Sequence, residues 1–231
     1  MTPTDPVQGN ARLVNLGPLE QLKAGRMPRR VLQLVVGLAI YGASMAMVIR
    51  GALGAIPWDV LHTGLIEHIP ITFGQMSILL ALVVLLMWIP LRQMPGLGTI
   101  ANVFLVGLAA DIALAIVPET DGIDARLALL LAGIVLNAVA TAMYIGSQLG
   151  PGPRDGLMTG LARISGHSIR LVRTSIEVFV VAVGALLGGS VGVGTVLYAL
   201  AIGPLVHWML PWFVVELQEP IPPVDESSSR L

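Results

Sequence analysis

The chain has 231 residues, 55% of them apolar and only 12% charged, where an average soluble domain carries roughly a quarter charged residues, so a water-soluble globule is excluded. Thirteen basic and fourteen acidic residues leave a formal net charge of −1, which offers no field for nucleic acid. There is no cysteine, and with it go disulfide frameworks, thiolate metal sites, iron–sulfur clusters and cysteine nucleophiles.

Residues 1–30 are polar and proline-bearing, with Lys23, Arg26, Arg29 and Arg30 gathered ahead of the first long apolar run. No short apolar core with a small-residue cleavage site precedes that run, so the first helix is expected to act as its own signal anchor. Crossing a bilayer takes about 20 mostly apolar residues. Such windows fall at 31–49, 72–91, 98–117, 127–147, 170–189 and 193–213, giving six expected spans. Between them lie two shorter stretches, Leu53 to Ile69 with Asp59, His62, Glu67 and His68, and Leu149 to Gly166 with Arg154, Asp155 and Arg163. Each Asp or Arg at the centre of a spanning helix costs roughly 2.5–3.5 kcal/mol, so both stretches are expected as re-entrant or interfacial half-helices.

With a cytoplasmic N-terminus, six spans put eleven of the thirteen basic residues inside and leave Arg50 and Arg126 outside, as the positive-inside bias requires. The expected organisation is a cytoplasmic segment 1–30, a membrane repeat 31–117, an acidic external loop 118–126, a second repeat 127–213 and a disordered cytoplasmic tail 214–231 carrying Pro220, Pro222, Pro223 and a serine run.

The two repeats are visible directly. Leu53-Gly54-Ala55-Ile56-Pro57-Trp58-Asp59-Val60-Leu61-His62-Thr63-Gly64-Leu65 lies over the segment from Leu149 to Leu161 at a shift of 96, with eight of thirteen pairs identical. Without a gap, the same shift matches Gly37 to Gly133, Gly96-Leu97-Gly98-Thr99 to Gly192-Val193-Gly194-Thr195, and Gly107 to Gly203. Three spans per repeat is an odd number, so the second copy must enter the membrane from the opposite face. The expected fold is therefore an all-α membrane protein of about six transmembrane helices in two inverted three-helix repeats, each with a half-helix, an architecture common among transporters.

The LG-x-x-P-x-D-x-L-x-TGL pattern at 53–65 and 149–161, with GxGT at 96–99 and 192–195, resembles the YczE/YyaS/YitT group of predicted bacterial integral membrane proteins over about residues 30–213. That resemblance implies a multi-pass protein of the bacterial inner membrane and supplies no catalytic residue.

The candidate site residues come from the duplicated half-helix. Pro57 and Pro153 suit the first turn of a helix, and Asp59 and Asp155 then meet its positive end, either as caps or as cation or proton sites in a midplane binding site. Arg154 replaces Trp58 at the matching position. It either pairs with Asp155 or offers its planar fork to a substrate carboxylate or phosphate. Trp58 either lines a pocket or anchors the interface, and Thr63 and Thr159 stand close by in sequence. Asp111, Glu177 and His207 are candidates for proton or ion coupling, with an i,i+4 pair to Arg173 as the plainer role of Glu177. His62 and His68 are six apart, the wrong spacing for a helical zinc pair, so no metal is expected. Thr99 and Thr195 are expected to cap the spans that follow them.

No nucleotide-binding loop, metalloprotease motif or nucleophile elbow is present, so no enzyme activity and no cofactor are expected. The expected function is a secondary transporter or exporter of a small polar or anionic metabolite. The alternatives are a passive channel, or a non-transporting membrane accessory protein of another pathway. The expected partners are the lipid bilayer and a small-molecule or ion substrate, and the small repeat is compatible with a homodimer.

Overall fold

The computed structural model describes Leu13 and residues 17–217. The expected tail beyond Leu217, with Arg230, and the extreme N-terminus, with Arg12, lie outside the described residues. Among the described residues the chain is all helix and turn: α1 Pro18–Lys23, α2 Met27–Gly51, α3 Pro57–Ile66, α4 Phe73–Leu91, α5 Leu97–Ile116, α6 Ile123–Gly146, α7 Pro153–Ser165, α8 Ile169–Leu186 and α9 Val193–Phe213.

From α2 onward every helix start has a counterpart 96 residues later: 27 and 123, 57 and 153, 73 and 169, 97 and 193. The start signals recur with them. Pro57 and Pro153 open α3 and α7 at a position whose backbone N–H has no helical acceptor. Thr72 and Ser168 cap α4 and α8, accepting from the backbone N–H of Gln75 and Leu171. All six expected spans fall on helices. Five of these, α2, α4, α5, α6 and α9, are long and apolar enough to cross a bilayer. The sixth, α8, falls outside that set because Arg170, Arg173 and Glu177 stand in its first half. The two short helices α3 and α7 cover less than the stretches drawn from sequence, since 53–56 and 149–152 are non-helical lead-ins.

α2 and α6 cross at the centre, α5 packs on α2 and α9 on α6. The crossing is close because Gly37 lies against Ala140 and Tyr144 of α6 while its counterpart Gly133 lies against Ser44 and Val48 of α2. The half-helices are exchanged: α3 packs on α8, and α7 on α4. At the second of these contacts Trp88 of α4 fills the space over Gly156 and its indole N–H donates to the Pro153 carbonyl at 3.0 Å. At the first contact Gly184 occupies the position of Trp88 and Val60 that of Gly156, and a Cβ on Gly184 would lie 2.5 Å from the Val60 carbonyl carbon, so there the two backbones meet directly.

The same exchange explains the repeated LG and GxGT motifs. Gly98 N–H donates to the Leu149 carbonyl at 2.6 Å, and Gly194 N–H to the Leu53 carbonyl at 2.7 Å. Gly54 and Gly150 adopt φ of +114° and +112°, and a Cβ on Gly54 would lie 2.5 Å from the Gly192 nitrogen. Thr99 and Thr195 occupy N3, one turn later than an N-cap, and their hydroxyls accept from the N–H of Gly96 and Gly192. Thr99 also donates to the Pro151 carbonyl at 2.7 Å. Each motif of one half is thus completed by the other half.

Two expectations at the chain ends change. Arg30, read as a cytoplasmic charge, is fully buried and donates to the carbonyls of Gln21, Ser147 and Gln148. Val215, read as the start of a loose tail, is buried, with its N–H on the Gly146 carbonyl and its carbonyl on the Gln148 side chain.

The pseudo-symmetry is broken at one contact. α4 packs along α5, whereas α8 has no comparable packing on α9. A Cβ on Gly107 would lie 2.5 Å from the Gly74 carbonyl oxygen, while its counterpart Gly203 has open space to 4 Å. Gly107→Ala is therefore expected to cost about 1–3 kcal/mol by overpacking. Gly203→Ala meets no neighbouring element, and its helix-propensity gain of about 0.5–1 kcal/mol is opposed by crowding of the new Cβ against Pro204, so little net change is expected. Thermal unfolding of the two detergent-solubilised variants reads both.

Candidate functional site

The N-terminal turns of α3 and α7 approach one another beside α2, and two small polar cavities flank them. One, of about 50 Å³, is lined by Tyr41, Ser77, Asn102, Tyr144, Arg154 and Asp155. The other, of about 60 Å³, is lined by Tyr41, Trp58, Arg154, Asp155, Arg173, Glu177 and Tyr198. Each has room for a few waters or one small ion. They are counterparts: Ser77, Ala81 and Asn102 of the first become Arg173, Glu177 and Tyr198 of the second at the shift of 96. Tyr41, Arg154 and Asp155 face both.

Asp59 is fully buried. Its Oδ1 lies 3.1 Å from His62 Nδ1, one helical turn on, and its Oδ2 has no hydrogen-bond partner. The far nitrogen of the same ring, His62 Nε2, lies 3.4 Å from Arg154 Nη2. Arg154 stacks over the Trp58 indole, 5.0 Å from its centroid, rather than pairing with Asp155. A guanidinium over an indole face is attracted by the ring quadrupole. Trp58 is 7% exposed, its Nε1 has no partner, and it faces the cavity instead of the membrane interface. Asp155 accepts from the Tyr144 hydroxyl. Glu177 accepts from Arg173 Nε at 2.9 Å, as its i,i+4 spacing predicts, and this ion pair lines the second cavity.

The remaining candidates stand elsewhere. Thr63 Oγ1 donates to the Asp59 carbonyl at 2.8 Å and accepts from Ser190 N–H, which ties α3 to the turn before α9. Thr159 is exposed and turned back to the Gly156 carbonyl. Asp111 accepts from the Thr72 hydroxyl and, at 2.7 Å, from Gly74 N–H, which makes it a clamp on the first turn of α4. His207 is exposed on α9. Among the described residues no three His, Cys, Asp or Glu side chains converge in metal-binding geometry.

Sequence reasoning passed over His62, which was weighed only as a zinc ligand, and the tyrosines. A signal for the latter exists. At the shift of 96, Tyr41 meets Asn137 and Asn102 meets Tyr198, so both repeats hold the same two residue types with their places exchanged. In one of them the Tyr198 hydroxyl donates to Asn137 Oδ1 at 2.7 Å.

Among known proteins, the profile of a family described as a family of unknown function, DUF6198, matches residues 28–211. An uncharacterized protein of Haemophilus influenzae is 38% identical over 177 residues, 77% of this chain and 81% of its own. The uncharacterized membrane protein YczE of Bacillus subtilis is 32% identical over 177 residues, 76% of this chain and 82% of its own. The uncharacterized protein YyaS of the same organism is 27% identical over 180 residues, 76% of this chain and 90% of its own. No solved structure matches.

Proposed function

We propose, from the premise that this chain belongs to the DUF6198 family, that it is a secondary transporter of a small polar or anionic metabolite in the bacterial inner membrane, with both termini cytoplasmic. It crosses the bilayer six times, α8 being the sixth span, in two inverted repeats. Cargo is held at Arg154 between the two half-helix N-termini, and no covalent chemistry is involved.

The observation that carries this reading is the broken symmetry around a shared site. Two counterpart cavities meet at Arg154, and only the second has its flanking helix, α8, standing away from α9. The exposure of the counterparts follows: Ser77 is buried while Arg173 is exposed. In an inverted repeat the two packings are exchanged between inward-open and outward-open states, which exposes one fixed site to each side in turn. α8 then closes on α9 in the second state while α4 leaves α5. The charges of α8 fit this role, because Arg173 and Glu177 satisfy each other at the wall of a polar cavity rather than facing hydrocarbon.

The natural absence of cysteine makes the test direct. In Arg170→Cys/Gly203→Cys, the counterparts of the touching Gly74 and Gly107 carry thiols. Reconstituted into liposomes, the reduced protein is expected to exchange one or more of chloride, nitrate, inorganic phosphate and glutamate. Oxidation is expected to trap the closed α8–α9 state and stop exchange, with recovery on reduction. Exchange that continues in fully cross-linked protein excludes alternating access and favours a channel. The absence of any exchange by wild-type protein favours an accessory role.

A further inference from the structure

We infer that His62 is a proton site governed by Arg154, so that the arrival of an anion at Arg154 is coupled to the uptake of one proton by His62. The inference deepens the transport reading and rests on it for the anion.

A guanidinium carries donors only, so the imidazole nitrogen 3.4 Å from Arg154 Nη2 is an acceptor. His62 is then neutral, its Nε2 lone pair is turned toward Arg154, and its Nδ1–H donates to Asp59 Oδ1. Burial of the ring is the first thing that disfavours its charged form, and with Arg154 in this place a proton on Nε2 would also confront a positive charge at contact distance. An anion entering either cavity draws the guanidinium to itself and neutralises its field. His62 is fully buried and lines neither cavity, so Arg154 stands between its Nε2 and the cavities. Once the guanidinium moves, Nε2 can take a proton from that side, and the resulting imidazolium faces the Asp59 carboxylate, whose Oδ2 has no hydrogen-bond partner. A buried carboxylate behind the ring is what such a cation requires.

The charges nearby do not supply this by other means. From α8, Arg173 and Glu177 are paired with each other. From α7, Asp155 is bonded to Tyr144 of α6. Tyr41 of α2 lines both cavities and Tyr198 of α9 the second. α4 presents Phe73, edge-on to the imidazole at 5.4 Å between centroids. With His62 neutral, a monovalent anion entering alone would make the buried set one charge more negative. Anion and proton together leave its net charge unchanged, which removes the main electrostatic cost of loading a site in low dielectric. Under the shift of 96 the counterpart of His62 is Met158, so the proton site belongs to one repeat alone.

The test is the titration of His62 in the full-length protein, read by nitrogen NMR of histidine-labelled samples and assigned by loss of the signal in His62→Gln. Arg154→Gln is expected to raise the pH at which His62 protonates by about one unit or more. Arg154→Lys, which keeps the charge, is expected to stay near wild type and controls for misfolding. An unchanged titration in a folded Arg154→Gln overturns the proposal. Inorganic phosphate, nitrate and glutamate are then added to wild-type protein. A bound probe that raises the titration supports coupling, and a bound probe that leaves it unmoved overturns coupling. If none of the three binds while Arg154→Gln still shifts His62, the proton site stands and its coupling to an anion falls together with the anion cargo.

Discussion

Arg154→Ala is expected to weaken binding of a small anion by about tenfold or more, since it removes a half-buried charged donor and a hydrogen bond to a charged group is worth roughly 1.5–3 kcal/mol. The side chain faces both cavities, stacks on Trp58 and meets His62, so its removal strips the site of its donor fork and leaves Asp59 and Asp155 beside an Arg173 already paired with Glu177. Arg154→Lys is expected to recover only part of the loss, because a point charge cannot reproduce the fork or the stacking. Arg163→Ala, on the same helix, is the control. Its guanidinium donates to the Leu91 carbonyl and lines neither cavity, so it should leave anion affinity unchanged. Isothermal titration, or ligand-induced thermal stabilisation, measures all three. Equal affinities for Arg154→Ala and wild type would remove the site from this position.

The second large effect concerns stability. In Gly156→Val the new Cβ would lie 2.0 Å from Cζ2 of the Trp88 ring, a flat group held by its bond to the Pro153 carbonyl. The expected cost is several kcal/mol, at or above the usual range of about 1–3 kcal/mol for overpacking. Trp88→Gly empties the same space and is expected to cost at least about 3–5 kcal/mol. The double variant removes the indole that the valine would strike and carries the same two residue types as Val60 and Gly184 of the other half, where the backbones of the two helices meet directly. It should therefore be more stable than the sum of the single effects by about 1–3 kcal/mol in a double-mutant cycle. Strict additivity would mean that the valine and the Trp88 indole do not compete for the same space.

The particular residues explain how much of this was legible in the sequence. The starts of α3, α5, α7 and α9 were readable because Pro57 and Pro153 and the GxGT turns act locally, on their own first turns, and recur at one spacing. The placing of Asp59, Arg154, Asp155 and Trp58 in first turns was readable for the same reason: a proline fixes the start of a helix, and the residues just after it occupy its end. What sequence cannot convey is which side of a short helix faces a cavity. Thr63 and Thr159 lie four residues past the aspartates, and both hydroxyls turn back to their own helix carbonyls. Asp111 and His207 match under the shift, yet the first has the α4 N-terminus to hold and the second faces outward. The pairing of His62 with Arg154 spans 92 residues and crosses between the repeats, so neither residue's own neighbourhood announces it. The exchange of half-helices was hidden likewise, because identical motifs fit their own half and the other half equally well on paper.

That exchange also bears on how the protein is made. The carbonyl of Leu53 and the turn at Gly54 find their partners only at Gly192 to Thr195, so while the ribosome is still threading the second half into the bilayer, the first half holds an unmet backbone carbonyl and an unfilled glycine seat. Neither half is a finished unit at any moment of synthesis. The two become stable together, at the end of translation, and two gene fragments divided in the 117–122 loop should be productive only when both are expressed in the same cell.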